Sequence, residues 1–138
     1  MTVTPAPFRA SPRSDAVGAV APVSIVDEPA VDLVHLARQT NGDSALQQEL
    51  LVLFDKQLAG LPALAADRSA ERGRRAAAAH QLKGSALAVG AGAVARAAAA
   101  VETALTGGAS GPEAVESALA ALAAAVEVAR AALAELRG

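Results

Sequence analysis

"AAAAHQLKGSALAVGAGA" occupies residues 76–93. Alanine is the best helix former and the leucines keep helical spacing, so the stretch reads as a helix broken near Gly90 and Gly92. At about 100° per residue, with His80 as origin, Leu82 lies about 160° away and Val89 about 180° away. Those two mark the buried stripe, and His80 points outward. Gly73, Ala76, Ala77, Gly84 and Leu87 all fall within about 60° of His80. Lys83 stands about 60° to one side, and Arg72 lies on that flank two turns before His80. A solvated helix face ordinarily carries long charged side chains, whereas this strip is bare. A lone exposed histidine is ordinary, and free use of alanine explains much of the strip, but neither explains Gly84. Glycine inside a helix costs about 0.8–1 kcal/mol relative to alanine. Backbone access beside His80 is the simplest reason for it. Close packing on a neighbouring helix is the weaker rival, because position 84 shares the outward flank.

The rest of the 138 residues agrees with a helical reading. The chain is 53% hydrophobic but only 1% aromatic, with Phe8 and Phe54 alone, so alanine and leucine must build the core. Small side chains require close approach, which suits packed helices rather than a sheet rich in β-branched and aromatic residues. Twelve basic and fourteen acidic residues leave a net charge of −2, which argues against nucleic acid as a partner. The absence of cysteine excludes disulfides and thiolate chemistry. The longest uncharged stretch of the helical region, Gly84 to Ala95, is shorter than the about 18 residues a membrane span needs. Arg9 and Arg13 have no apolar run behind them, so no signal peptide is evident. The expectation is a cytoplasmic protein without a membrane partner.

Five of the seven prolines fall within residues 1–29, which read as a disordered tail; "VSIV" at 23–26 is a conceivable strand with no partner. Residues 30–138 read as one helical domain. Asp32 suits the N-cap of a short helix carrying Leu33, Leu36 and Ala37. "TNGD" ends it, and Asp43 or Ser44 caps a second helix whose apolar set is Leu46, Leu50, Leu53, Phe54, Leu58 and Leu61. Pro62 should kink that helix, since Leu61 and Leu64 continue the pattern. Asp67 or Ser69 caps a third helix, which runs to about Val89. A fourth covers about Ala91–Leu105, and Pro112 opens a fifth that runs to about Leu136. The expected fold is all-α: an up-down four-helix bundle with a short additional N-terminal helix.

An exposed imidazole beside a lysine and a cleared approach suits nucleophilic chemistry near neutral pH. A phosphoryl group on the ring would be anionic, and Lys83, one turn away, can offset that charge. The bare strip would let another protein's active site reach the ring. "HQLKGSALAVGA" (80–91) resembles the signature of histidine phosphotransfer (HPt) domains, His-x-Leu-Lys-Gly-Ser-(Ser/Ala)-x-x-(Leu/Val)-Gly-Ala. Glu102 sits where that family often has a glutamate, and "VDLVHLARQTNGDSALQQELLVLFDKQ" (31–57) is similar to its opening helices. The resemblance covers roughly residues 31–136. Gln81, where a small polar residue is common, and the alanine-rich core are its departures.

The resemblance implies a phosphorelay intermediate, a monomeric phosphocarrier without autokinase activity. His80 would accept a phosphoryl group on Nε2 and exchange it with the aspartate of response-regulator receiver domains, in a pathway fed by a (hybrid) histidine kinase. Mg²⁺ would come from the receiver, and the chain would have no cofactor of its own. Lys83 would stabilise the phosphoryl charge, Gly84 would give access, and Gln57 is a candidate for orienting the imidazole. Arg72, Ala76, Ala77 and Leu87 are the candidate partner-docking residues. The alternative is a helical adaptor that binds a partner through the same face without chemistry. A metal site is not expected, since only His35 and His80 are available and no H-E-x-x-H occurs. His35 reads as surface decoration of the first helix. Arg68, Arg72, Arg74 and Arg75 sit where cations oppose their own helix dipole, and read mainly as a solvated face paired with Asp67 and Glu71.

Overall fold

A computed structural model describes residues 28–107 and 111–137. Most of the N-terminal tail, including "VSIV", therefore lies outside the described residues. Five helices form and no strand is present among the described residues: α1 (Leu33–Gln39), α2 (Ser44–Ala66), α3 (Arg72–Val89), α4 (Gly92–Thr106) and α5 (Pro112–Arg137). α3 packs against both α2 and α4, α4 packs against α5, and α5 returns to α2, so the four long helices close a ring. α1 lies across α3 and, more lightly, α2.

The first two helices start on carboxylates. Asp32 accepts from the amides of Val34 and His35, each at 3.1 Å, and Asp43 accepts from Leu46 N–H at 3.1 Å. These bonds satisfy amides that have no partner in a first helical turn. Asn41 and Gly42 turn the chain between them with φ of 54° and 79°. α3 starts later than the sequence suggests: its N-cap is Glu71, without a side-chain cap. Asp67 instead closes α2, and its carboxylate binds Ser69 through Oγ at 2.6 Å and N–H at 2.9 Å. Those bonds hold the Asp67 carboxyl below its ordinary pKa.

Two apolar assignments shift. In α1 only Leu36 is fully buried, and Leu33 is half exposed. In α2 the core row is Leu51, Phe54, Leu58 and Ala65, while Leu46 and Leu53 face out. α2 touches both α3 and α5, and that double contact rotates the buried row away from the simple one-face pattern. α2 runs through Pro62 without ending. The proline has no N–H for the Leu58 carbonyl one turn back.

Gly90 ends α3 in the left-handed region, with φ of 75°. Its N–H bonds Leu87 O at 3.3 Å and Ala91 N–H bonds Ala86 O at 2.8 Å, a two-bond helix stop. Gly90 O accepts from Asp32 N–H at 3.0 Å. A Cβ at position 90 would lie 2.8 Å from Asp32 Cβ and 2.9 Å from Asp32 O, so the close approach of α1 also requires glycine.

α5 is long and apolar enough, by length and composition, to cross a bilayer, with a mean hydropathy of 1.6. Here Val115, Leu122, Ala129 and Leu133 bury into the common core. Glu28, assigned to the tail from sequence, is tied to α4 through Arg96, so the described domain begins before residue 30.

Candidate functional site

α3 presents its buried residues Arg75, Ala76, Ala78, Ala79, Leu82, Ala86 and Val89 over an arc of about 160°, a wide face that meets two helices. The His80 side chain remains 65% exposed at the edge of that arc. His80 Nδ1 lies 3.0 Å from Glu102 Oε2 on α4. A carboxylate only accepts, so Nδ1 carries a proton, and in the neutral ring the lone pair is then on Nε2. Nε2 makes no hydrogen bond among the described residues. The same carboxylate holds Lys83 Nζ, 3.4 Å from its other oxygen. One glutamate therefore fixes the ring and parks a cation one helical turn from it. Gly84 is exposed, and a Cβ there would meet nothing within 4 Å. Gly73, Ala77 and Leu87 are exposed on the same face. The arrangement is a nucleophilic imidazole with one free nitrogen, an ammonium beside it and open space around it.

The Hpt domain family model matches residues 45–132. The chain belongs to the Hpt domain family. The general activity of this family is histidine phosphotransfer in phosphorelay signalling, and its members act as phosphocarriers with receiver domains and histidine kinases. No curated protein and no solved structure matches the chain. In this Hpt domain α1 precedes the matched span.

Three sequence assignments change at the Hpt site. Gln57 makes no hydrogen bond to His80; its Oε1 is buried without a partner, and Glu102 orients the ring instead. Ala76 is 7% exposed and belongs to the core, not to a docking strip. The row Arg72, Ala76, Ala79, Lys83 runs along one side of α3, and both of its ends touch α4. Arg72 is committed as well, since its Nε donates to Leu105 O at 2.6 Å and its guanidinium also reaches Ala104 O at 3.2 Å.

The arginine cluster is thus more than a solvated face. Arg75 Nε donates to Ala65 O at 2.8 Å, and Arg68 pairs with Glu116 at 2.6 Å. Arg72 and Arg75 sit at the start of their own helix, yet they cover the last carbonyls of α4 and α2. Cations there complement the neighbours' dipoles, which offsets the mismatch with their own. His35 is not mere decoration either: its Nε2–H donates to Leu87 O at 2.9 Å and ties α1 to α3. Among the described residues no group of three or more His, Cys, Asp or Glu side chains forms a metal-binding set.

Glu102 was the residue without a role in the sequence reading. It is 22 positions from His80, on another helix. A signal for it exists: His80 and Glu102 stand equally far, eleven residues, on either side of Ala91 in the α3–α4 turn. Two antiparallel helices joined there bring those positions level.

Proposed function

We propose that this Hpt domain, an up-down four-helix bundle with α1 added, carries phosphoryl groups on Nε2 of His80 and exchanges them with the aspartate of response-regulator receivers. The observation that supports it best is the His80–Glu102 bond, which leaves an exposed nitrogen with a free lone pair. In the accepting direction that lone pair attacks the phosphorus of the receiver's aspartyl phosphate. The N–P bond forms, the P–O bond to the aspartate breaks, and the carboxylate leaves. Nδ1 keeps its proton, and the Glu102 carboxylate stabilises the positive charge that grows on the ring. Lys83 is placed to follow the phosphoryl oxygens, and Gly84 leaves the approach clear. Mg²⁺ would come from the receiver and would offset phosphoryl charge there, while Lys83 offsets it on this side. The donating direction reverses each step. Docking falls to Ala77, Leu87 and the exposed glycines of α3, now without Ala76 and Arg72. The chain works as a cytoplasmic monomer supplied by a histidine kinase, and it does not phosphorylate itself from ATP.

The test is transfer from a phosphorylated receiver to the wild type and to His80→Gln. Acid-labile label appears on the wild type and not on the variant, while the variant stays helical. Label that survives in His80→Gln overturns the assignment, and binding without transfer in the wild type favours the adaptor reading. ATP with Mg²⁺ alone leaves both proteins unlabelled.

A further inference from the structure

A groove of about 330 Å³ lies between α4 and α5, away from the His80 pair. Val94 and Ala129 form its buried floor, and Ala93, Ala124 and Ala125 line its sides. Val128 stands on its rim at 62% exposure, which makes it one of the two most exposed large apolar residues described. Glu28, Pro29 and Ala30 close one end. The Glu28 carboxylate takes both guanidinium nitrogens of Arg96, with one bond at 3.2 Å, so the chain is clamped where it reaches the groove.

Twenty-seven residues of the sequence precede that clamp. Just before Asp27 comes Val23-Ser24-Ile25-Val26, the one run in the tail that carries three β-branched apolar side chains together. Four extended residues reach about 13–14 Å. The α5 wall from Ala124 to Val128 is about 6 Å long, so the run is long enough to cover it. We propose that residues 23–26 dock in the α4–α5 groove and cover Val128. A tethered segment meets the groove at an effective concentration in the mM range, which a free copy of the chain does not match. The outer face of α5 supports the same choice, because exposed alanines such as Ala120, Ala121 and Ala123 give a second copy little to grip. Arg96 lies about 120° around α4 from Glu102, so the docked segment leaves the His80 face open. The tail then seals an apolar seam without blocking a receiver.

The chain contains no cysteine, so Val128→Cys in the full chain introduces a single reactive thiol. Its rate with a thiol reagent is compared with that of Leu53→Cys, a position 51% exposed on α2. Docking makes Val128→Cys react at least about fivefold more slowly, as expected where access needs local opening. Adding Val23→Asn, Ile25→Asn and Val26→Asn together restores the fast rate at position 128 and leaves position 53 unchanged. Equal rates at 128 and 53 overturn the proposal, as does protection that the three asparagines do not remove. Protection that grows with protein concentration also overturns it, in favour of a second copy.

Discussion

Glu102 serves two donors, the His80 ring N–H and the Lys83 ammonium, with one carboxylate, and its charge should matter more to transfer than to the fold. Its side chain is 26% exposed and is not part of the apolar core. Glu102→Gln can still accept from Nδ1–H but cannot offset a growing imidazolium. Transfer should slow about tenfold, or about 1.4 kcal/mol in the barrier, with the melting temperature nearly unchanged; stopped-flow or quench-flow transfer from a phosphorylated receiver measures it. Gly84 makes a separate case. A Cβ there meets open space, so Gly84→Ala should stabilise the helix by up to about 1 kcal/mol. Gly84→Gln should stay folded and slow transfer, because its side chain fills the approach to His80. Denaturant unfolding and transfer rates on the same two variants check both statements, and a destabilised Ala variant would point to packing instead.

Between α3 and α4 the opposite holds for glycine. Gly90 combines a φ of 75° with backbone atoms of Asp32 within 3 Å of any added Cβ. Gly90→Ala should therefore cost about 2–4 kcal/mol, from left-handed strain and overpacking together, as chemical denaturation would show. Much of this was legible in the sequence. Alanine, leucine and the glycine breaks specified five helices, and the angular position of His80 marked it as exposed. The faces of α1 and α2 were harder to read, because a helix that touches two neighbours buries a wide arc and Leu33, Leu46 and Leu53 fit one-face spacing without lying in it. The partner of His80 was harder still. Helical angle describes one helix at a time, whereas Glu102 meets His80 only after α4 folds back on α3. Arg72 shows the same limit: its flank was right, but the carbonyls it covers belong to another helix.

At the scale of the whole molecule, acid should release the clamp at the domain's N-terminal edge. The hydrogen bond from Arg96 holds the Glu28 carboxyl below its ordinary value of 4.5. A depressed carboxylate contributes stability above that value and loses it as pH falls through the folded pKa. The contribution is small for so open a pair, about 0–1 kcal/mol. The wild type should melt slightly above Glu28→Gln at pH 6, and the two melting curves should converge as the pH is lowered through 4.5 and below. The α3–α4 pairing has a larger reach. Ala76 and Ala79 lie between Arg72 and Lys83 on the side of α3 that meets α4, and both are buried. Their methyl groups act as shims that hold two rods at a fixed gap, and the 3.0 Å between ring and carboxylate is what the gap delivers. Ala79→Leu should cost about 1–3 kcal/mol and also slow transfer, although no surface group has changed; calorimetry and transfer kinetics on one sample would show both. The rate of transfer should thereby be adjustable from inside the protein, at positions buried away from its surface.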